Sequence, residues 1–351
     1  MTDVLISLTS DLRSGIELAP DKVAAAAAAL TSDLAPDETK AEFLSALSRK
    51  GETAAEIAAF ASFFRELAIN PELGEWSARA VDIVGTGGDH SGGFNISTMV
   101  TLVVSCAGVP VMKHGNRGIT SKCGSADLFA AFGFALDAAP GRLQSAMESL
   151  GYVFLFAPAW HPAFKRIGPV RKLLAARGER SVFNILGPLL NPGRPAHILL
   201  GAASPALVEK LADALEILQT RSGLAVHGII EPGKGIDELT SATVNTVRGV
   251  GSLKSVNGEW TPESFGLARA PFLEITGGDV AANLAIANEL ASGNGPRGLA
   301  DTVVLNSAVA LWVAGARPDA RGAIGEAREL LCGGAVKAKM SQTRDFFSSH
   351  G

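Results

Sequence analysis

The stretch 84-VGTGGDHSGGFNIST-98 places five glycines between a run typical of a buried strand and a run typical of a helix. The strand pattern covers Ala80, Val81, Ile83 and Val84, and the helix pattern starts near Asn95 and ends at Gly108. A strand, a glycine loop and a helix N-terminus in this order direct backbone N–H groups and the helix dipole at one point, where an anion such as phosphate binds. A mobile surface loop is the competing interpretation, and the spacing matches neither the P-loop nor the dinucleotide-binding fingerprint.

The composition of the chain is that of a globular protein. Of its 351 residues, 47% are hydrophobic and 19% are charged, which argues against disorder and allows a large buried core. The net charge of −4 argues against general nucleic-acid binding. We expect no membrane segment, because no apolar run reaches the ~20 residues needed to span a bilayer. The three widely spaced cysteines suit a reducing compartment, so we expect a cytoplasmic protein.

Helical and strand patterns occupy different parts of the chain. Residues 1–75 are helical in pattern, whereas from residue 80 short runs of Val, Ile and Leu alternate with alanine-rich helical stretches. This alternation predicts an α/β fold with a largely parallel sheet flanked by helices, in which ligands bind beyond the carboxyl ends of the strands. Residues 161–195 interrupt the alternation with a basic, partly helical segment that ends in proline-marked turns, and we interpret it as a crossover to the helical region.

A second polar loop, 113-KHGNRGITSKCGSAD-127, follows the strand pattern GVPVM. It is rich in hydrogen-bond donors, and its glycines let backbone N–H groups approach a ligand, which indicates a site for a polyanion. An exposed basic loop without a ligand is the alternative interpretation.

Two adjacent carboxylates, Asp237 and Glu238, follow a glycine turn in 231-EPGKGIDE-238. On a solvated loop such a pair usually binds nothing. Beside a phosphate site it matches the needs of magnesium, which takes one or two protein carboxylates together with phosphate oxygens and water. No pair of His or Cys residues has the spacing of a zinc site.

The chain resembles the anthranilate phosphoribosyltransferase family of tryptophan biosynthesis in eight motifs that occur in the family's order: GTGGD, NIST, KHGNR, CGSAD, HPA, PVRK, FNILGPLLNP and GIDEL. The resemblance extends over almost the full chain. It implies a small all-helical domain, residues 1–76 with a crossover contribution from about 165–192, and a larger α/β domain, residues 77–164 and 193–351, with a mostly parallel central sheet flanked by helices. It also implies a magnesium cofactor and a homodimer formed through the helical domain.

The activity that the resemblance implies is transfer of the phosphoribosyl group of 5-phosphoribosyl diphosphate to the amine of anthranilate, with release of diphosphate. The donor would be bound by Gly85, Gly88, Asp89, Gly93, Asn95, Ile96, Ser97, Thr98, Lys113, Ser121 and Ser125. Anthranilate would be bound by Gly85, Asn116, His161 and Arg171, and magnesium by Ser97, Asp237 and Glu238. The catalytic residues would be Lys113, Arg171 and His114.

These implied roles agree with the chemistry of the reaction. Lys113, magnesium and fixed N–H dipoles would stabilise the negative charge that grows on the departing diphosphate. Arg171 would orient anthranilate through its carboxylate, and His114 is the candidate if proton removal needs a base. The chain departs from the usual family pattern at Gly93, where relatives commonly have threonine and where Ser91 is a possible substitute, and in a longer segment at 173–182.

Two other functions compete with this interpretation. A pyrimidine nucleoside phosphorylase shares the general fold, but it lacks the KHGNR and GIDEL motifs. A non-catalytic, nucleic-acid-binding relative would have a basic surface and degraded motifs, whereas this chain is acidic and retains Lys113, Arg171, Asp237 and Glu238.

Overall fold

The computed structural model describes residues 1–89, 91–118 and 122–348 of the chain. Its N-terminal part consists of α1 Thr2–Arg13, α2 Pro20–Thr31, α3 Asp37–Lys50, α4 Ala54–Glu66 and α5 Gly74–Ser77. The α3 helix ends at Gly51, whose φ of 87° favours glycine. The α4 helix begins with a capping box, in which the Thr53 hydroxyl accepts from the Glu56 N–H and the Glu56 carboxylate accepts from the Thr53 N–H. The helical pattern of residues 1–75 is thus confirmed.

From residue 81 strands and helices alternate, as the apolar runs predict. The strands are β1 Val81–Gly85, β2 Val111–Gly115, β3 Tyr152–Phe156, β4 His197–Gly201, β5 Ser222–Glu231, β6 Lys234–Ile236, β7 Asn245–Gly251 and β8 Asn257–Trp260. The helices are α6 Ile96–Cys106, α7 Ser125–Ala131, α8 Pro140–Leu150, α9 Ala157–Trp160, α10 Phe164–Ala176, α11 Pro205–Ile217, α12 Val280–Ala291, α13 Arg297–Val313, α14 Ala320–Cys332 and α15 Ala335–Ser348. Short 3-10 turns lie at Val182–Asn184, Gly187–Leu189, Pro262–Phe265 and Phe272–Ile275.

The strands form one mixed sheet in the order β3-β2-β1-β4-β5-β7-β8, with β6 paired to β5. The pairs formed by β1 to β5 are parallel, and those that include β6, β7 or β8 are antiparallel. Parallel pairing places the carboxyl ends of β1 to β4 at one edge of the sheet, so the polar loops after β1 and β2 are neighbours. The predicted α/β fold with a mostly parallel sheet is confirmed, and the antiparallel edge is an addition that the sequence pattern did not predict.

Each face of the sheet is buried in an apolar core. Ile83 and Leu199 on one face pack in a core that includes α6 and α13. Val84 and Leu200 on the other face pack in a core that includes α11 and the N-terminal helices. The crossover helix α10 joins this second core and packs on α2 and α3. No helix in the described ranges is long and apolar enough to cross a bilayer.

Candidate active site

The glycine loop after β1 packs against the acidic turn after β6. A Cβ atom on Gly85 would lie 2.1 Å from Asp237 Oδ2, and one on Gly201, its partner on β4, would lie 1.5 Å from the Asp237 carbonyl oxygen. The Gly87 N–H donates to Asp237 Oδ2 at 2.7 Å. Glycine is therefore required at both strand ends, because a side chain at Gly85 would displace the Asp237 carboxylate and one at Gly201 would displace the Asp237 backbone.

The loop itself turns back over this contact. Gly87 and Gly88 have φ values of 65° and 74°, which favour glycine. The next residue, Asp89, accepts hydrogen bonds from the Ser91 N–H at 3.2 Å and from the Ser91 hydroxyl at 2.8 Å. Space remains beside Gly87, since a Cβ atom there would meet no atom within 4 Å. The backbone at Gly87 is thus open to the approach of a ligand.

The presence of glycine, and not threonine, at position 93 has a steric explanation in this chain. A Cβ atom at position 93 would lie 2.7 Å from Ile236 Cδ1 and 3.3 Å from the Ser91 hydroxyl oxygen. The Gly93 N–H donates to that oxygen at 3.1 Å. Ile236 therefore occupies the space that a threonine side chain would need. The Ser91 hydroxyl donates a hydrogen bond to Asp89. That Ser91 contacts the phosphoribosyl donor in place of the missing threonine stays a prediction.

The start of α6 lies next to the glycine loop, as the sequence predicts. Asn95 donates to the Cys123 carbonyl at 3.0 Å and accepts from Asn283 Nδ2 at 2.8 Å, so it joins the two polar loops to α12. Ile96 and Thr98 are fully buried, and no described residue is a hydrogen-bond partner of the Thr98 hydroxyl. The burial of both side chains means that a ligand would reach the backbone of this turn more easily than these two side chains.

Lys113 is a buried cation beneath the site. Its Nζ donates to the Ile83 carbonyl at 2.5 Å and to the Ser97 hydroxyl at 3.0 Å. Burial lowers the pKa of Lys113, while the charges of Asp82, Glu238 and Asp237 oppose that effect. Lys113 thus holds the Ser97 hydroxyl in place by a hydrogen bond. Its ammonium group also interacts electrostatically with Asp237 and Glu238 of the acidic turn.

Three carboxylates converge above Lys113. One oxygen each of Asp89, Asp237 and Glu238 lies within 4.8 Å of the other two. Ser97, Asp237 and Glu238 also line one small cavity of about 10 Å³, the size of a single water molecule. Burial and the neighbouring carboxylates raise the pKa values of Asp237 and Glu238. Converging oxygen ligands that repel one another fit a divalent cation, which would remove the repulsion. The family resemblance places Asp89 with the phosphoribosyl donor and not with the metal.

The loop after β2 is held by one carboxylate, Asp127. It accepts hydrogen bonds from the Gly124 N–H at 2.9 Å and the Gly118 N–H at 3.1 Å, and it pairs with Arg117 at 2.8 Å. Burial favours a higher pKa for Asp127, but these donors outweigh it and lower the pKa. A Cβ atom on Gly124 would lie 2.1 Å from the Gly118 nitrogen, so the two ends of the loop touch.

Ser125 lies at the base of the same loop. Its hydroxyl donates to the Asn116 carbonyl at 3.4 Å, and a Cβ atom on Gly115 would lie 2.5 Å from that hydroxyl oxygen. The close approach brings Asn116 and Ser125, both predicted binding residues, to the end of β2. Ser121 lies outside the described residues, and its predicted contact with the donor stays a prediction.

Two buried histidines, His114 on β2 and His161 after α9, meet edge to face. The ring centroids of His114 and His161 are 5.2 Å apart. His114 Nδ1 bonds to the Gly187 carbonyl at 3.1 Å, and the Nε2 atoms of both rings have no hydrogen-bond partner among the described residues. Burial lowers the pKa of His114 to about 3 and that of His161 to about 4. Both rings are therefore neutral at pH 7, and His114 is a weak base.

Arg171 lies on α10, the crossover helix, and is half-buried. Burial alone lowers its pKa, and no hydrogen bond or ion pair within the described ranges engages its guanidinium. Five N–H donors are thus available in a partly desolvated position, where a carboxylate would be bound strongly.

The sequence interpretation missed a buried polar pair behind the site. Asp82, on β1, accepts from Asn191 Nδ2 at 2.8 Å and from the His114 N–H at 3.2 Å. Asn191 also donates to the Met112 carbonyl at 2.7 Å. Burial raises the pKa of Asp82 to about 6, although Lys113 and these donors oppose the rise. The signal was present, because an aspartate inside the apolar run AVDIV needs a partner.

Comparison with known proteins assigns both parts of the chain. Residues 77–337 match the model of the glycosyl transferase family, a/b domain, and residues 6–68 match that of the glycosyl transferase family, helical bundle domain. An anthranilate phosphoribosyltransferase of a Synechococcus species is 40% identical over 315 residues, which are 90% of this chain and 89% of that relative.

Solved structures agree with this relationship. The crystal structure of the anthranilate phosphoribosyltransferase from Thermus thermophilus has a TM-score of 0.86 and 38% identity, over 97% of this chain and 99% of that one. The enzyme from Saccharomyces cerevisiae in complex with PRPP and Mg has a TM-score of 0.83 and 25% identity, over 98% of both chains. These relatives favour phosphoribosyl transfer over the phosphorylase and nucleic-acid-binding alternatives. The chain therefore belongs to the anthranilate phosphoribosyltransferase family, whose enzymes transfer a phosphoribosyl group to anthranilate.

Proposed function

We propose that this chain transfers the phosphoribosyl group with magnesium bound at Ser97, Asp237 and Glu238, and with Asp89 as a further oxygen ligand. The observation that carries the proposal is the convergence of three carboxylates, Asp89 of the glycine loop with Asp237 and Glu238 of the acidic turn. They lie beside Ser97, which Lys113 holds. The yeast relative bound to PRPP and Mg supports the choice of the metal. When bound, magnesium neutralises negative charge on the diphosphate.

The donor side of the site supplies positive charge that is already in place. Diphosphate leaves when the bond between its oxygen and the anomeric carbon breaks, and its negative charge grows in that step. Lys113 is held by two hydrogen bonds at this position, so it needs little reorganisation to stabilise the charge. We assign the donor to Gly85, Gly88, Asp89 and Gly93 of the glycine loop, to the start of α6 from Asn95 to Thr98, and to Lys113, Ser121 and Ser125.

The acceptor side needs orientation more than activation. The aromatic amine of anthranilate carries an unprotonated lone pair at neutral pH, and it forms the new bond to the anomeric carbon. We assign its carboxylate to the free guanidinium of Arg171, with Gly85, Asn116 and His161 as the other contacts. The Nε2 atoms of His114 and His161, which have no hydrogen-bond partner among the described residues, are available to accept a hydrogen bond from the anthranilate amine or from a water molecule beside it.

The proton that the amine loses does not require a strong base. With a pKa of about 3, His114 takes up a proton only weakly. We therefore propose that Lys113 and Arg171 contribute more to the rate than His114, which would relay the proton to water.

We also propose a homodimer formed through a helical domain of residues 1–76 and about 165–192. Exposed apolar side chains in the N-terminal helical region, among them Ile6 on α1 and Leu34 in the turn after α2, support this surface. The cytoplasm is the compartment we propose, on the wide spacing of the three cysteines.

The decisive experiment follows the loss of anthranilate fluorescence when the protein is mixed with 5-phosphoribosyl diphosphate and magnesium. We expect loss in the wild type that depends on magnesium, and a fall of at least about 100-fold in kcat/KM in the double variant Asp237→Asn, Glu238→Gln. The matched control is Glu231→Gln, which changes an exposed carboxylate of the same hairpin and should leave the rate unchanged. A double variant as active as the control would exclude these carboxylates as the metal site.

A further inference from the structure

Arg180 extends from the segment after α10 to the glycine loop. Its Nη2 atom lies 3.4 Å from the Gly88 carbonyl oxygen, and a Cβ atom on Gly88 would lie 4.0 Å from the same nitrogen. Arg180 lies in the segment 173–182, which is longer than the usual family pattern. It is thus a link between the crossover segment and the loop assigned to the diphosphate.

The residues on both sides of Arg180 are fixed to other elements. The Glu179 carboxylate accepts from Ser45 and pairs with Arg49 at 2.7 Å, both on α3. The Ser181 N–H donates to Asn184 Oδ1 at 2.9 Å, in the 3-10 turn that follows. The backbone at position 180 is therefore anchored, and the nearest carboxylate along the chain is already paired with other residues.

The Arg180 guanidinium has unused donors. It is exposed, and within the described part of the chain its single hydrogen bond is to the Gly88 carbonyl, without an ion pair. Arg177, three residues earlier, differs because it pairs with Glu38 and Glu42 of α3. A planar fork of five N–H groups recognises phosphate oxygens in two-point contacts. Arg180 has this capacity and lies against the loop.

The geometry points to Arg180 as a further residue that binds the phosphoribosyl donor. Arg180 contacts the diphosphate group of 5-phosphoribosyl diphosphate from the crossover segment, while Lys113 contacts the same group from the sheet. This inference rests on the proposed function. It names a residue of the segment at 173–182 that lies outside the eight motifs.

The test measures donor binding directly by titration calorimetry, with magnesium and either 5-phosphoribosyl diphosphate or inorganic diphosphate. We expect Arg180→Ala to raise the dissociation constants of both by about tenfold, as for loss of a charged hydrogen bond. The KM for the donor should rise equally, whereas kcat and the KM for anthranilate stay within about twofold. Arg180→Lys, which keeps the charge and loses the fork, should recover part of the affinity. Arg177→Ala, the matched control, should bind as the wild type does.

Two other results have distinct meanings. If wild type and Arg180→Ala bind the donor equally well while the wild type transfers phosphoribosyl groups, Arg180 makes no contact and the inference is wrong. If the wild type itself binds neither 5-phosphoribosyl diphosphate nor diphosphate, the proposed function fails, and the inference fails with it. Thermal unfolding of each variant separates lost binding from lost stability, because Arg180 is exposed and its removal should leave the melting temperature unchanged.

Discussion

Gly85 is the residue where one added methyl group would displace the acidic turn. The Cβ of an alanine there would lie 2.1 Å from Asp237 Oδ2, and the backbone at this position needs no positive φ. The effect of Gly85→Ala is therefore steric alone. A carboxylate shifted by about 1 Å costs on the order of 100-fold in rate when it positions a reacting group, so we expect that fall in kcat/KM.

The control for this variant is Gly141→Ala, at the start of α8, where a Cβ atom would meet nothing within 4 Å. Steady-state kinetics on the two variants makes the comparison. If Gly85→Ala is as active as Gly141→Ala, the position of the Asp237 carboxylate next to Gly85 does not matter for catalysis.

At the same scale, the sequence identifies which residue types a site needs but not all their partners. Asp237 and Glu238 are recognisable because they are adjacent. Asn283 is not, since it contacts Asn95 from a position 188 residues away and no local pattern marks it. Arg180 lacks a signature for the same reason, because only the folded crossover brings it to Gly88.

At the scale of elements, two buried histidines from different elements are in contact: His114 lies on β2 and His161 follows α9. Both imidazoles have pKa values below the ordinary 6.5, at about 3 and about 4. In the unfolded chain they would bind protons below about pH 6.5, so the unfolded state gains protons that the native state does not. Their contribution to stability is thus complete above that pH and is lost as the pH falls toward the native pKa values.

The expected consequence is a loss of stability from the two histidines as the pH falls, which one substitution reduces. The raised pKa values of Asp82, Asp237 and Glu238 act in the opposite direction in the wild type and in both variants. Between about pH 7 and about pH 5.5 each histidine should cost about 1 kcal/mol of the free energy of unfolding. His114→Gln and His161→Gln should each lose about 1 kcal/mol less than the wild type over that range. Urea denaturation at the two pH values gives the measurement. Equal losses in the wild type and both variants would mean that neither ring is buried in its neutral form.

Elements differ in how far the sequence predicts them. The strands β1 to β5 are recognisable because each is a short apolar run that ends at glycine or polar residues. The β6 strand consists only of the three residues Lys234–Ile236, which is too short for a strand pattern. It pairs with β5 in a hairpin, and only the glycine-containing turn of that hairpin is recognisable in the sequence. The β7 and β8 strands, NTVRGVG and NGEW, contain mostly polar residues and glycines and no continuous apolar run, so their place at the antiparallel edge is set by tertiary pairing.

At the scale of the whole molecule, the helical part and the sheet share one core. The N-terminal helix α4 packs on α11, and Phe60 of α4 lies in the same apolar cluster as Leu200 of β4. The crossover segment joins this cluster through contacts such as the 5.0 Å stacking of Phe64 and Phe164. The division into residues 1–76 and the α/β part stays a proposal, and a relative motion of the two parts would have to repack this core.

The proposed dimer is a property of the whole molecule that a surface substitution can test. Ile6 on α1 and Leu34 after α2 are 57% and 78% exposed, and such apolar surface on the helical region is what a partner subunit would bury. We expect Ile6→Glu to convert a dimer of twice 36.2 kDa into a monomer in sedimentation velocity, because an interface excludes an unpaired charge. Ile217→Glu on α11 is the matched control, 53% exposed but outside the helical region, and it should remain dimeric. A wild-type protein that sediments as a monomer at micromolar concentration would rule out the dimer, and an Ile217→Glu monomer would place the interface on α11 instead.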